Sequence, residues 1–183
     1  ICIPCFNEED NINKLYERLS NTLAKKTEYD YSIIFADNCS TDGTVSLINN
    51  LIKKDKRIGL IKNVSNFGFV RSSANALLAP DADANIFLMA DLQDPPELVL
   101  DLIEEWALGK KQVIFATRKS SRENKILFLC KKFYYFILSW LSNYPMVRDT
   151  TGFGIYDKVV IQALRKSIDS YPYIKGLVCA IGF

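Results

Sequence analysis

The chain has 183 residues, 49% of them hydrophobic and 24% charged, with a formal net charge of +2. That is the make-up of a globular domain with a sizeable core, and it lacks the global positive field of a nucleic-acid binder. Histidine is absent, which excludes Ser-His-Asp and Cys-His nucleophile systems and His-ligated zinc or haem, and leaves a carboxylate, lysine, tyrosine or substrate group as general base.

Strand and helix signals alternate along the chain. Ile1 to Cys5 is a short apolar run. Asn7 then reads as an N-cap, with Glu8, Glu9 and Asp10 in the first turn of a helix that continues through Ile12, Leu15, Leu19 and Leu23. Tyr31 to Ala36 is a second strand, and Ser40-Thr41-Asp42-Gly43 is a turn and cap before a helix through Val45, Ile48, Leu51 and Ile52. A third strand spans Ile58 to Ile61, and the loop Asn63 to Gly68 leads to a helix through Ala74 and Leu78. Asn85 to Ala90 is a fourth strand; Asp94 reads as the N-cap of the next helix, with Pro95 at its first position. Val113 to Ala116, a long helix over Lys125 to Leu141, a short strand Phe153 to Tyr156 and a helix over Val159 to Leu164 complete the series. The expectation is an α/β fold, a mainly parallel sheet flanked by helices in one domain over residues 1–183. Beginning inside an apolar strand and stopping at Gly182-Phe183, the chain reads as an excised domain. No stretch in it is apolar and long enough to span a bilayer, so any membrane anchor is expected outside it.

The five cysteines, Cys2, Cys5, Cys39, Cys130 and Cys179, are odd in number and irregularly spaced, so no disulfide framework is expected. Cys2 and Cys5 form a C-x-x-C pair, but no second pair or histidine completes a zinc site, and the pair reads as structural.

In parallel sheets ligands bind outside the carboxyl ends of the strands. Three strand ends bear polar clusters: Phe6, Asn7 and Glu8; Asp37 and Asn38; Asp91, Gln93 and Asp94. Carboxylates gathered at one edge repel unless a cation or donor groups sit among them. An oxygen-rich set without sulfur or imidazole suits Mg²⁺ or Mn²⁺, and Mg²⁺ usually takes one or two carboxylates plus substrate phosphates, which matches Asp91 with Gln93 two residues on. Read singly, Asp37 is also an ordinary turn carboxylate and Asp94 simply a helix cap.

Four segments in order resemble family 2 glycosyltransferases: Pro4-Cys5-Phe6-Asn7-Glu8-Glu9, Ala36 to Thr44 (ADNCSTDGT), Asn66-Phe67-Gly68, and Ala90 to Glu97 (ADLQDPPE). The resemblance runs over essentially the whole chain and is strongest to the polyprenyl-phosphate sugar transferases, the branch of dolichol-phosphate mannose synthase and bactoprenol glucosyltransferase. Thr151 to Asp157 and Pro172 to Leu177 also fit a bacterial subgroup of that branch. The resemblance implies a GT-A fold, inversion at the anomeric carbon and a requirement for Mg²⁺ or Mn²⁺. It implies that Pro4, Phe6, Glu8 and Asp37 line the nucleotide pocket, that Asp91 and Gln93 ligate the metal, and that Arg118 and Arg122 lie near the donor and acceptor phosphates, with Asp91, Arg118 and Arg122 carrying catalysis. The donor would be a nucleotide-sugar, UDP-linked by preference. The place of action would be the cytoplasmic face of a membrane, the bacterial inner membrane.

Two departures from the family pattern stand out. The metal motif usually reads Asp-Ala-Asp and here reads Met89-Ala90-Asp91; Gly152 and Gly154 stand where many members carry Asp and Arg. A phosphate monoester, with a second pKa of about 6, is already mostly dianionic at neutral pH and needs no base to become a nucleophile. A lipid phosphate acceptor therefore tolerates the missing acid, whereas a saccharide hydroxyl would need a base, for which only Asp149 and Asp157 are nearby in sequence. Between Lys110 and Lys132 stand eight basic residues and the single acid Glu123, and the Lys125 to Leu141 helix is apolar around most of its circumference. That combination suits the membrane interface, a core helix or a partner contact. Neither G-x-G-x-x-G, a Walker A sequence nor Gln-x-x-Arg-Trp occurs, against dinucleotide oxidoreductases, P-loop nucleotidases and processive synthases. The remaining rival is a GT-A-fold binding or scaffold protein that has lost turnover through Met89.

Overall fold

The computed structural model describes residues 1–117, 150–167 and 171–183. Arg118, Arg122, Asp149 and the helix expected over Lys125 to Leu141 lie outside the described residues.

The elements alternate as the apolar patterning requires. Strand β1 (Cys2–Cys5) leads to helix α1 (Glu9–Leu23), β2 (Ile33–Asp37) to α2 (Thr44–Lys54), and β3 (Ile58–Lys62) to α3 (Phe69–Leu78). Then come β4 (Ala84–Phe87), a single 3-10 turn (Pro96–Leu98), α4 (Val99–Ala107), β5 (Val113–Phe115), β6 (Gly154–Asp157), α5 (Lys158–Lys166) and α6 (Ile174–Ala180). Among the described residues the strands form one sheet in the order β3-β2-β1-β4-β6-β5. β1 pairs in parallel with β2, Cys2 beside Ile34 and Cys5 beside Asp37, and also in parallel with β4. β6 runs antiparallel to both β4 and β5. The sheet is thus mostly parallel, with one reversed strand.

All four residues of β1 are buried, as expected for a central parallel strand covered on both faces. Alternate residues serve two cores. Ile86 and Ile155 join Ile3, Phe35 and the apolar stripe of α1, where Ile12, Leu15 and Leu19 are fully buried. Their neighbours Phe87 and Tyr156 face the other way, onto Leu77 of α3, Val160 and Leu164 of α5, and Val178 of α6. Burial raises the pKa of the Tyr156 phenol, which donates to the carbonyl of Gly152 at 2.9 Å.

Three local expectations are corrected. Asn7 does not cap α1; it adopts φ 55°, and its Oδ1 accepts from the Thr41 amide at 2.8 Å. Asp94 does not cap the helix after it. Pro95 takes the cap position with no side-chain hydrogen bond, while Asp94 turns inward and is buried. Asp157 is no candidate base: β6 is reversed, so Asp157 pairs with Ala84 at the start of β4, the edge remote from the end of that strand. There it caps α5 through Val159 N at 2.9 Å and accepts from Trp106 Nε1 at 2.9 Å. Cys2 and Cys5 are buried free thiols, and burial raises the pKa of both, in keeping with a structural role.

Candidate active site

After β1 the chain crosses in one direction to β2 and β3, and later in the other direction to β4. The topological switch point therefore lies at the carboxyl ends of β1 and β4, where open α/β sheets place their ligands. Three neighbouring strand ends meet there. Each is followed by a non-glycine residue in the left-handed region: Asn7 (φ 55°), Cys39 (φ 67°) and Leu92 (φ 57°). Such backbone costs about 1–3 kcal/mol per residue and persists only where surrounding contacts enforce it.

The contacts that enforce it are visible. The loops after β1 and β2 are clasped together. Asn7 N donates to Ser40 Oγ at 2.9 Å, Glu8 N to Thr44 Oγ1 at 2.8 Å, and Gly43 N to Glu9 Oε2 at 2.6 Å. The Asp42 carboxylate accepts from Glu9 N at 3.2 Å and from Thr44 N at 3.0 Å, so it serves the first turns of two helices. Desolvation pushes its pKa upward, but the hydrogen bonds from Thr44 and Glu9 win and hold it below the usual carboxylate value. Asp37, wholly buried at the end of β2, accepts from Ser40 N at 3.1 Å. Pro4 is buried within β1, Glu8 is half-buried and holds Asn11 Nδ2 at 2.7 Å, and Phe6 is 43% exposed just beyond the strand. These four residues share the β1–β2 side of the crevice.

A chain of asparagine amides orders the next loop. Asn75 Nδ2 donates to Asn63 Oδ1 at 3.2 Å, Asn63 Nδ2 to Asn38 Oδ1 at 3.1 Å, and Asn38 Nδ2 to Asn66 Oδ1 at 2.8 Å. Asn38 Oδ1 also accepts from Phe67 N at 3.0 Å, and Asn66 Oδ1 from Gly68 N at 2.9 Å. The relay fixes the entry to α3 and with it Phe69, which stands 60% exposed at the crevice.

On the β4 side, Asp91 Oδ1 accepts from Gln93 N at 3.1 Å across the left-handed Leu92. Asp91, Gln93 and Asp94 line one cleft of about 210 Å³ with Met89, Phe69 and Thr151. The Asp94 carboxylate accepts from Thr151 Oγ1 at 2.6 Å, tying the β4 loop to the segment that enters β6. Among the described residues no group of three or more Cys, Asp or Glu side chains is gathered as for a metal held by protein alone. The donors present, the half-buried Asp91 carboxylate and the exposed Gln93 amide beside the buried Asp94, fit a hard cation completed by phosphate oxygens and water; the Met89 thioether is too soft to replace the missing acid.

Gly152 and Gly154 are required by the backbone. Gly152 has φ 98°, which L side chains rarely adopt, and a Cβ on Gly154 would run into the Ile114 carbonyl of the paired strand β5. Thr151 and the asparagine relay were not expected at the site, and Asp94, expected in the cluster after β4, braces the loop instead of capping a helix. The one sequence signal for the relay is the density of Asn at 63, 66 and 75 near Asn38.

A model of "Glycosyl transferase family 2" matches residues 1–169. The chain belongs to glycosyl transferase family 2. Curated relatives aligned along all of it include the Bacillus subtilis uncharacterized glycosyltransferase YkcC, 29% identical and covered over 56% of its length. They also include the Escherichia coli K12 prophage bactoprenol glucosyl transferase homolog, 27% identical and covered over 59%, and the bactoprenol glucosyl transferase of Shigella phage SfV, 26% identical and covered over 59%. The chain thus spans less than two thirds of these relatives. Among solved structures, Staphylococcus aureus TarS 1-349 in complex with UDP-GlcNAc superposes with a TM-score of 0.61 over 97% of this chain and 51% of that one, at 16% identity. The mannosyltransferase PcManGT from Pyrobaculum calidifontis, in complex with GDP-Man and Mn²⁺, gives 0.56 over 88% and 45%, at 16% identity. The fold is that of the GT-A glycosyltransferases, and family 2 membership makes the chain a transferase domain.

Proposed function

We propose that this single catalytic domain transfers a sugar, with inversion, from a nucleotide-sugar to a polyprenyl phosphate carrier. The observation that supports the reading is that Asp37, with its neighbours Pro4, Phe6 and Glu8, follows the carboxyl ends of β1 and β2 at the switch point, while Asp91 and Gln93 line the cleft after the adjacent strand β4. The first group would hold the base and ribose, and the second would face the pyrophosphate. UDP is the favoured nucleotide, since TarS is a UDP-complexed relative in fold. The polyprenyl acceptor is supported by the relatives named bactoprenol glucosyl transferases.

Asp91 and Gln93 would hold Mg²⁺ or Mn²⁺, which when bound would neutralise charge on the departing diphosphate. In the transfer itself an acceptor phosphate oxygen bonds to the anomeric carbon as the bond from that carbon to the diphosphate breaks. The nucleoside diphosphate leaves with the electron pair. The nucleophile is already anionic, so no side chain need remove a proton, consistent with the placement of Asp157 at the far sheet edge. The Asp94–Thr151 bond keeps the Asp91 loop in place, and the clasp around Asp42 keeps the nucleotide side in place, so positioning is supplied before substrate arrives. Arg118 and Arg122 are assigned to the phosphates on the family resemblance. Basic residues from Lys110 onward would favour the cytoplasmic face of an anionic membrane. Among the described residues no helix is long and apolar enough to cross one.

The test uses the full-length protein with UDP-sugars and either undecaprenyl phosphate or saccharide acceptors, with and without Mn²⁺. Metal-dependent glycosyl-phosphate formation is expected. Transfer to saccharide hydroxyls alone would refute the acceptor. Met89 favours a second reading, a nucleotide-binding protein without turnover; UDP binding by calorimetry with no transfer and no donor hydrolysis would establish it.

A further inference from the structure

A second, shallower cleft opens beside the first and shares Phe69 and Thr151 with it. Its walls are hydrocarbon and aromatic: Val70 and Leu77 from α3, Phe87 from β4, and Ile174 from α6. The phosphates and sugar hydroxyls of a nucleotide-sugar would be stripped of water without partners against such walls. Of the polar groups in the lining, the Thr151 and Tyr156 hydroxyls donate to Asp94 and to the Gly152 carbonyl. The Ser73 hydroxyl is buried and has no hydrogen-bond partner among the described residues. Lys175 lines the same cleft; its ammonium donates to the Thr150 carbonyl at 2.8 Å and lies 5.7 Å from the centre of the Tyr173 ring, and an ammonium carries three donors. An orphan hydroxyl buried in the wall and a cation in the lining of an apolar groove describe a site for an amphiphile with an anionic head.

We infer that this α3–α6 groove binds the proximal isoprene units of an isoprenoid phosphate, with Ser73 and Lys175 facing its phosphate side and Phe69 dividing it from the donor cleft. Continuity with the donor cleft argues for this occupant: a chain lying in the groove delivers its phosphate to the shared Phe69–Thr151 wall, on the side of Asp91. The inference rests on the proposed acceptor class, but binding and turnover are read separately.

The test is calorimetric titration of the full-length protein with inorganic phosphate, dimethylallyl phosphate and geranyl phosphate. Comparison is made with Val70→Trp, which fills the groove, and Val70→Asp, which makes it polar. UDP titration of each variant reports an intact fold and donor site. Geranyl phosphate is expected to bind at least about tenfold more tightly than dimethylallyl phosphate, as the second isoprene unit leaves water. Both variants are expected to lose about tenfold or more for geranyl phosphate while keeping their affinity for UDP and for inorganic phosphate. Equal binding of geranyl and inorganic phosphate, unchanged geranyl phosphate binding in the variants, or no binding to the full-length protein would overturn it; in the last case other parts of the protein cover the groove. Binding of geranyl phosphate that is sensitive to both variants but never followed by glycosylation would support the groove and sink the acceptor reading alone.

Discussion

Replacing Asn38 by alanine removes the hub of the amide relay. Among the described residues the side chain makes three hydrogen bonds, with Asn63 Nδ2 at 3.1 Å, Phe67 N at 3.0 Å and Asn66 Oδ1 at 2.8 Å. A typical intramolecular hydrogen bond contributes about 0.5–1.5 kcal/mol net, which bounds the sum at about 1.5–4.5 kcal/mol. Asn66 and Phe67 are exposed and regain water, whereas the Asn63 amide stays buried without its acceptor. The expected loss is therefore about 2–3 kcal/mol, dominated by the stranded Asn63 donor. In a domain of this size that lowers Tm by about 4–12 °C. Urea unfolding followed by circular dichroism measures it, with Asn66→Ala as the companion: that change breaks only the exposed end of the relay and is expected to cost about 1 kcal/mol. The double variant should be less destabilised than the sum, by about 1 kcal/mol, because the two share one bond. If Asn38→Ala unfolds within about 0.5 kcal/mol of the parent, or the pair is additive, the relay does not order this loop and the reasoning is refuted.

Other expectations follow from single contacts. Gly154→Ala drives a Cβ into the Ile114 carbonyl of β5 and should cost about 1–3 kcal/mol, read as a lower urea midpoint with the m-value unchanged. The Arg57 guanidinium, hydrogen-bonded to Asp55, holds that carboxyl at about 2, below its usual value near 3.8. A depressed carboxylate pKa adds stability that is complete above the unfolded value and is lost as pH falls through the folded one. Asp55→Asn should therefore lower Tm at pH 7 and flatten the fall in Tm between about pH 4 and pH 2 that the parent shows. Asp91→Ala should abolish Mn²⁺-dependent transfer, a drop of about 10²-fold or more, while Tm without ligand changes little, since among the described residues Asp91 accepts only from the Gln93 amide. Thr151→Val removes the hydroxyl that Asp94 accepts from at 2.6 Å and should lower both Tm and Mn²⁺ affinity; an unchanged Mn²⁺ titration would show that Asp94 does not brace the Asp91 loop.

The architecture was legible wherever it rests on local periodicity. Ile12, Leu15, Leu19 and Leu23 recur at helical spacing and are all buried in α1, and the short apolar runs became β1 to β3. The rule that parallel sheets bind at strand ends pointed to Asp37 and Asp91, and both stand there. Residues whose partners lie far along the chain were misread. Asn7 and Asp94 have the chemistry of helix caps, but Asn7 bonds to Thr41 and Asp94 to Thr151, 34 and 57 positions away. No local propensity registers an acceptor that only the folded chain brings near. Gly154 resembled a lost functional side chain until the approach of β5 showed that no side chain fits. The reversal of β6 left no mark in a four-residue strand, and α6, seven residues long, is too short to display a period.

The three left-handed residues at the strand tips, Asn7, Cys39 and Leu92, have an evolutionary corollary. Each is a place where a glycine would relax the chain, so variants selected only for resistance to heat should accumulate changes at these tips. The same changes would loosen the rim that frames substrate. Durability and turnover in this enzyme are then expected to trade against each other at those positions more sharply than anywhere in its interior.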